Sequence, residues 1–181
     1  MSAVETGRLI IRPPVEADRD RFVELFTSVS FTVFSDGVHD TTSANARFDR
    51  MLRLIEVLPY AKQPVVERAT NTIVGYTGVD TVVLGGNNRL EWGWRFAADA
   101  RGKGYATEAA TALLALADRT DDGELLCIIA ADNHRSRRVA DKVGFIWWQR
   151  IDWAGTATDP TDLLLRPVGV GGPPLPAPSG F

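Results

Sequence analysis

Residues 89–119 read RLEWGWRFAADARGKGYATEAATALLALADR, and the order of patterns in this stretch decides the fold class. In Arg89 to Phe96, Glu91, Gly93 and Arg95 alternate with Leu90, Trp92, Trp94 and Phe96, the two-residue period of a strand. Farther on, Ala106, Ala109, Ala110, Leu113, Leu114 and Ala117 fall on one face of a helix. Between the two lies Arg101-Gly102-Lys103-Gly104-Tyr105-Ala106. Small residues at a helix start let backbone N–H groups come close to an anion, and the unpaired first-turn amides and the helix dipole favour phosphate there. Arg101 and Lys103 add positive charge. The competing structural reading is a plain strand-to-helix turn that happens to hold two glycines.

Three phosphate sites fit such a loop to different degrees. A Walker loop needs Ser or Thr after Gly-Lys, and Gly104 follows Lys103, so that reading fails. A dinucleotide fingerprint needs a third glycine where Thr107 stands, and the preceding strands read as antiparallel. The remaining reading is a loop for the pyrophosphate of an acyl-CoA.

Working outward, Arg8 to Pro13 predicts a short first strand. Phe22, Leu25, Phe26 and Val29 at helical spacing predict a helix from about Glu16 to Ser28. Ala44, Phe48, Met51, Leu52 and Ile55 predict a second, with Thr42 or Ser43 as its cap. Strands are expected at Pro64–Arg68 and Thr72–Val83 about the turn Ala69-Thr70-Asn71, with Gly85 to Asn88 turning into the strand at Arg89. Glu124 to Ala131 is an apolar run of the kind buried on both faces. Asn133 or Asp132 caps a short helix through Lys142 that Gly144 stops, and Phe145–Ile151 and Thr161–Arg166 form a last hairpin. The order is a mixed α/β (α+β) single domain over residues 1–168, with residues 169–181 a Gly/Pro-rich flexible tail.

Composition narrows the function. Hydrophobic residues are 45% and charged residues 24%, ordinary for a globular protein. No apolar run approaches the roughly 20 residues that cross a bilayer, and the first residues lack a secretory pattern, so a cytoplasmic protein without a membrane partner is expected. A net charge of −3 gives no footprint for nucleic acid. One cysteine, Cys127, and two distant histidines, His39 and His134, offer no metal-ligand spacing, so no metal is expected. Cys127 in its apolar run reads as core rather than nucleophile.

The loop and its neighbours resemble the GNAT superfamily of acyl-CoA-dependent N-acetyltransferases, and within it the Rim-like (ribosomal-protein-alanine acetyltransferase-like) branch. Arg101, Gly104 and Ala106 supply the named positions of the family pattern Arg/Gln-x-x-Gly-x-Gly/Ala, and residues 102–109 read GKGYATEA, as is common in that branch. TGRLIIRP resembles its first strand and EWGWRF the strand before the loop. Asn133, Ser136, Val139, Lys142, Gly144 and Phe145 match its N-x-x-S-x-x-V-x-x-K-x-G-F signature. The resemblance spans about residues 6–166.

It implies a mostly antiparallel sheet of six or seven strands, splayed between its fourth and fifth (Arg89–Phe96 and Glu124–Ala131), with about four flanking helices. Acetyl-CoA is then the co-substrate, its pyrophosphate on Arg101, Gly102, Lys103, Gly104, Tyr105 and Ala106, and its pantetheine arm beside Trp94, Phe96 and Asn133. The activity implied is acetyl transfer to a primary amine, on a protein N-terminus or a small molecule, by direct attack in a ternary complex of a monomer or homodimer. Such attack needs a base and an oxyanion donor. Glu91 is the candidate base, against an edge carboxylate paired with Arg89 or Arg95. Many relatives place a tyrosine acid where this chain has Ala140, so Ser136 is the candidate donor to the leaving group, against a residue that only bonds its own backbone. One of Arg135, Arg137 and Arg138 could meet the 3′-phosphate, Trp147, Trp148 and Trp153 an acceptor or a second chain, and Asp36, Asp40 and Glu56 a cationic acceptor. The alternatives are an acyl-CoA-binding sensor or interaction module with little catalysis and, more distantly, a nicotinamide-dependent oxidoreductase.

Overall fold

The computed structural model of the protein describes residues 2–34, 37–120, 123–152 and 160–169. The chain opens with β1 (Val4–Glu5) and β2 (Leu9–Ile11), then a 3-10 turn at Glu16–Asp18 leads into α1 (Arg19–Phe26), α2 (Val29–Thr32) and α3 (Thr41–Ile55). A meander follows: β3 (Gln63–Glu67), β4 (Thr72–Leu84) and β5 (Asn87–Phe96). Then come α4 (Tyr105–Thr120), β6 (Gly123–Ala130), α5 (His134–Lys142), β7 (Ile146–Ile151) and β8 (Thr161–Val168). The tail expected over 169–181 lies outside the described residues beyond Gly169, as does Trp153.

The strands form one sheet of eight in the order β1-β2-β3-β4-β5-β6-β8-β7, mostly antiparallel, with β5 and β6 the parallel neighbours. The seven expected strands are all present, and the eighth, β1, is a two-residue pairing too short to carry a period. Among the described residues five α-helices stand where about four were expected, because the first helical pattern breaks. Thr27 turns its hydroxyl back onto the carbonyls of Val23 and Glu24, and Ser28 is extended, so Val29–Thr32 forms a separate turn. The cap of α3 is Asp40 rather than Thr42 or Ser43: its carboxylate accepts from the Ser43 N–H at 2.7 Å.

Residues Ile73 to Val79 of β4 are buried without alternation, so both faces of the sheet are covered at its centre. Over the face bearing Tyr76 lie Phe22, Phe26 and Phe31 of α1 and α2, with Phe48 of α3 stacked on Phe22. The long helix α4 packs against β2, β4 and β5. Its start is tied to the front of the chain. Glu108 accepts from Thr6 and Arg8, Arg8 also donates to the Lys103 carbonyl at 2.9 Å, and Tyr105 donates its hydroxyl to Glu67. Glu108 therefore complements the helix dipole and also clamps the loop before α4 to β2.

Two strands decide where the sheet opens. β5 pairs with β4 along its whole length, and β6 likewise with β8. Between β5 and β6 the register holds only Leu90↔Leu125 and Glu91↔Leu126. Past Glu91 the strands part, as expected from the resemblance. At the far edge, β7 carries a register shift between Trp147 and Gln149.

Gly78 is the other structural hinge. It sits in mid-strand at φ +131°, and a Cβ there would lie 2.4 Å from the Ala61 carbonyl oxygen. The absence of that Cβ lets the segment Tyr60–Lys62 cross β4, where Val79 donates to Tyr60 O and accepts from the Lys62 N–H, both at 3.0 Å. Gly78→Ala is expected to cost about 2 kcal/mol or more, through backbone strain and a carbonyl clash. A urea midpoint equal to that of the unsubstituted protein would contradict this account.

Candidate active site

The gap between β5 and β6 widens into a cavity of about 900 Å³. Its backbone edge follows from strand alternation. Val79 spends its N–H and C=O on Tyr60 and Lys62, so Trp92, opposite it, does not bond to β4. Ala97 donates to Val74, and counting back by twos keeps Arg95 and Gly93 on β4, which leaves the backbone groups of Trp94 and Trp92 facing the gap. An extended, amide-bearing arm can pair there as a strand would. Of the residues expected to hold such an arm, Trp94, Phe96 and Asn133 all line the cavity.

At one end of the cavity lies the glycine loop. Gly102 and Gly104 have φ of +77° and +82°, a conformation only glycine adopts cheaply, and α4 begins immediately after. Arg101, Gly102, Gly104, Tyr105 and Ala106 line this end, whereas Lys103 does not: its ammonium lies over the Tyr105 ring. The Arg101 side chain is already engaged, donating to the carbonyls of Phe96 and Ser30. Burial holds its guanidinium below the ordinary value, and the nearby Arg135 and Arg95 push the same way, which marks this end as electropositive. Arg135 and Arg138 of α5 line the cavity, while Arg137 pairs with Asp141. A phosphate-bearing ligand suits this end.

At the apex stands Glu91, the last residue to pair before the strands part. Its Oε2 accepts from the Lys62 ammonium at 3.1 Å. Arg89 instead pairs with Glu124, and Arg95 lies over aromatic rings, so neither is the partner considered from sequence. Oε1 folds back along the strand over Gly93, where an added Cβ would lie 3.1 Å away. Gly93 faces Gly78 across the ladder; the Glu91 carboxylate and the Lys62 stem fill the space over Gly93, and the backbone of Tyr60 and Ala61 fills that over Gly78. Lys62 also stands 3.7 Å from Asp80, which Arg50 holds at 2.6 Å. Burial weakens the Lys62 ammonium, but Glu91, Tyr76 and Asp80 more than offset this, and its pKa is raised.

Across the cleft, Asn133 caps α5 by accepting from the Ser136 N–H at 3.1 Å, and Ser136 lines the cavity. Ala140 is fully buried in the core and brings no acid. Cys127 is buried too: burial first, and then the Glu91 charge, push its thiol well above the ordinary value. Asp40 accepts at its helix cap and Glu56 is exposed at the end of α3, neither of them lining the cavity, and Asp36 lies outside the described residues. Lys62 went unnoticed from sequence because nothing local marks it. The usable signal was Gly78 inside a β-branched strand, which announces a close backbone approach.

A family model described as an acetyltransferase (GNAT) domain matches residues 8–146. The chain belongs to the GNAT family. It is therefore an acyl-CoA-dependent acetyltransferase. The GNAT fold is similar to that of a GNAT-family acetyltransferase from Bordetella pertussis, at 22% identity and a TM-score of 0.81, covering 92% of this chain and 99% of that one. It is similar also to RimL, a ribosomal α-N-protein acetyltransferase solved in complex with coenzyme A, at 15% identity and a TM-score of 0.75, covering 92% and 98%. A ribosomal-protein alanine acetyltransferase from Vibrio fischeri shows 14% identity and a TM-score of 0.71, covering 96% and 100%. Among the described residues no group of three or more His, Cys, Asp or Glu is placed to hold a metal, and no helix is long and apolar enough to cross a membrane.

Two measurements test this geometry. Gly104→Val forces a branched side chain onto a left-handed backbone, and calorimetry is expected to show acetyl-CoA affinity falling by about a hundredfold or more. Affinity within about threefold would contradict the loop assignment. Cys127 is expected to resist a disulfide reagent at pH 8 in the folded protein and to titrate fully in denaturant; rapid labelling of the native chain would overturn its placement in the core.

Proposed function

We propose that this GNAT protein is an N-acetyltransferase of the Rim-like kind, moving acetyl from acetyl-CoA to a primary amine of a protein N-terminus or a small molecule. The observation that carries the reading is Glu91 at the point where β5 and β6 part, with one carboxylate oxygen held by Lys62 and the other turned along the opening. Residues 1–168 act as one domain, as monomer or homodimer, in the cytoplasm.

Acetyl-CoA supplies the electrophile, a thioester carbonyl, and a thiolate as leaving group. The backbone amides from Arg101 to Ala106 hold its pyrophosphate at the start of α4, and Arg135 or Arg138 adds charge for the outer phosphate. The gap-facing backbone of Trp92 and Trp94 pairs with the pantetheine arm, and an N–H there donates to the thioester oxygen as negative charge grows. Asn133, its oxygen used in the helix cap, offers its amide nitrogen to the same arm.

A primary amine arrives mostly protonated at neutral pH. Glu91 takes the extra proton, directly or through one water, and the lone pair so freed then forms the bond to the carbonyl carbon. Lys62 orients the carboxylate and cannot itself act as base, because its proton is held tightly. As the C–S bond breaks, Ser136 donates to the departing sulfur, standing in for the tyrosine found where this chain has Ala140, and regains a proton through water from the N–H+ of the new amide.

Thiol release from acetyl-CoA with a panel of primary amines tests this reading, with NAD and ATP as binding controls. Glu91→Gln is expected to lower kcat by about a hundredfold or more with little change in acetyl-CoA affinity, and Ser136→Ala by about tenfold or more. Unchanged rates in both variants would sink the role assignment. Acetyl-CoA binding without turnover of any amine would sink the transferase reading in favour of a sensor.

A further inference from the structure

On the Glu91 face of β5 the charges almost cancel, and the residue left over is a cation. Asp80 is answered by Arg50, and Glu91 by Lys62. Arg95, two residues beyond Gly93 on the same face, has no carboxylate partner among the described residues. Its guanidinium lies over the rings of Phe31 and Tyr76, at 5.7 and 5.9 Å from their centroids. Its Nη1 is shut off from solvent and donates no hydrogen bond, yet the side chain forms part of the cavity wall with Phe31, Val33, Phe34 and Tyr76. Burying a guanidinium N–H without an acceptor is costly, and a protein tolerates that cost where a ligand supplies the missing anion. Two aromatic rings fix the planar group and leave its remaining donors as a fork suited to a carboxylate.

Resting on the transferase reading above, we infer that the acceptor carries a carboxylate as well as its amine, and that Arg95 binds it. The strand sets the spacing. The Glu91 carboxylate lies over Gly93, and Arg95 is two strand residues farther on, roughly 7 Å along the chain. An ω-amino acid with several methylenes, or a peptide N-terminus followed by an acidic side chain, spans them. The exposed Val33 and Phe34 at the rim would meet the apolar stem of such an acceptor.

The test compares matched pairs that differ only in the acid: δ-aminovalerate against pentylamine, and an alanyl-glutamyl peptide amide against its alanyl-glutaminyl counterpart. Binding is measured by calorimetry to protein saturated with CoA, where no transfer occurs, and thiol release is measured separately with acetyl-CoA. The acidic member is expected to bind at least about tenfold more tightly, with the ratio near one in Arg95→Met and partly kept in Arg95→Lys, which also serves if the methionine variant misfolds. Preference within one pair only tells a small-molecule acceptor from a peptide, and either supports the inference. Equal binding of both members to the unsubstituted protein overturns it, as does a preference that survives in Arg95→Met. It is equally overturned if Arg95→Met weakens CoA itself and leaves the pair ratio unchanged, since the cation would then belong to a phosphate. Absence of thiol release with every amine, alongside a preference that Arg95→Met abolishes, would sink the transferase reading and leave the carboxylate site standing.

Discussion

Everything at this site depends on how soon β5 and β6 stop pairing. A parallel ladder that holds for two residues and then opens leaves a row of backbone donors and acceptors inside the fold. Such groups are costly when dry, each by about 1–3 kcal/mol, so the opening is stable only as a wet cleft or as a ligand's partner. The parting does not loosen the sheet, because β4 and β8 hold the two strands from outside along their full lengths. Two rigid half-sheets thus diverge from a fixed apex, and whatever stands at the apex is positioned as firmly as the core.

The apex carboxylate in turn depends on missing side chains. Gly78 admits the crossing of Tyr60–Lys62, which carries the Lys62 ammonium to Glu91, and Gly93 leaves room for the carboxylate to lie along its own strand. Val79 spends its backbone groups on that crossing, and strand alternation leaves those of Trp92, opposite it, facing the gap. The two glycines thus set the Glu91 carboxylate beside the gap-facing backbone edge.

Much of this was legible in the sequence, for a physical reason. The strand, glycine loop and helix of residues 89–119 are local, each set by periodicity or by a backbone need for glycine, and the parts fall where the patterns put them. The caps and breaks were less legible, since Asp40 rather than its neighbours closes α3 and the Thr27 hydroxyl breaks the first helix. Contacts across the sheet left no local mark. Lys62 reaches Glu91 over 29 positions, Arg8 reaches the loop over 95, and Arg101 spends its side chain on the carbonyls of Phe96 and Ser30. Arg89 and Arg95 were the partners that sequence offered for an edge carboxylate at Glu91, and the fold gives it Lys62 instead.

The shift in β7 between Trp147 and Gln149 bears on how the molecule lives among its copies. An edge strand offers unpaired backbone to any other strand, and here it also exposes Ile146 and Trp147. A bulge spoils the even spacing that a second chain would need to extend the sheet. The Trp147 indole, bonded to Asp162 together with Arg150, is fixed in place rather than free to wander. The protein thus carries an exposed apolar edge whose bulge makes it geometrically unfit for runaway β-pairing.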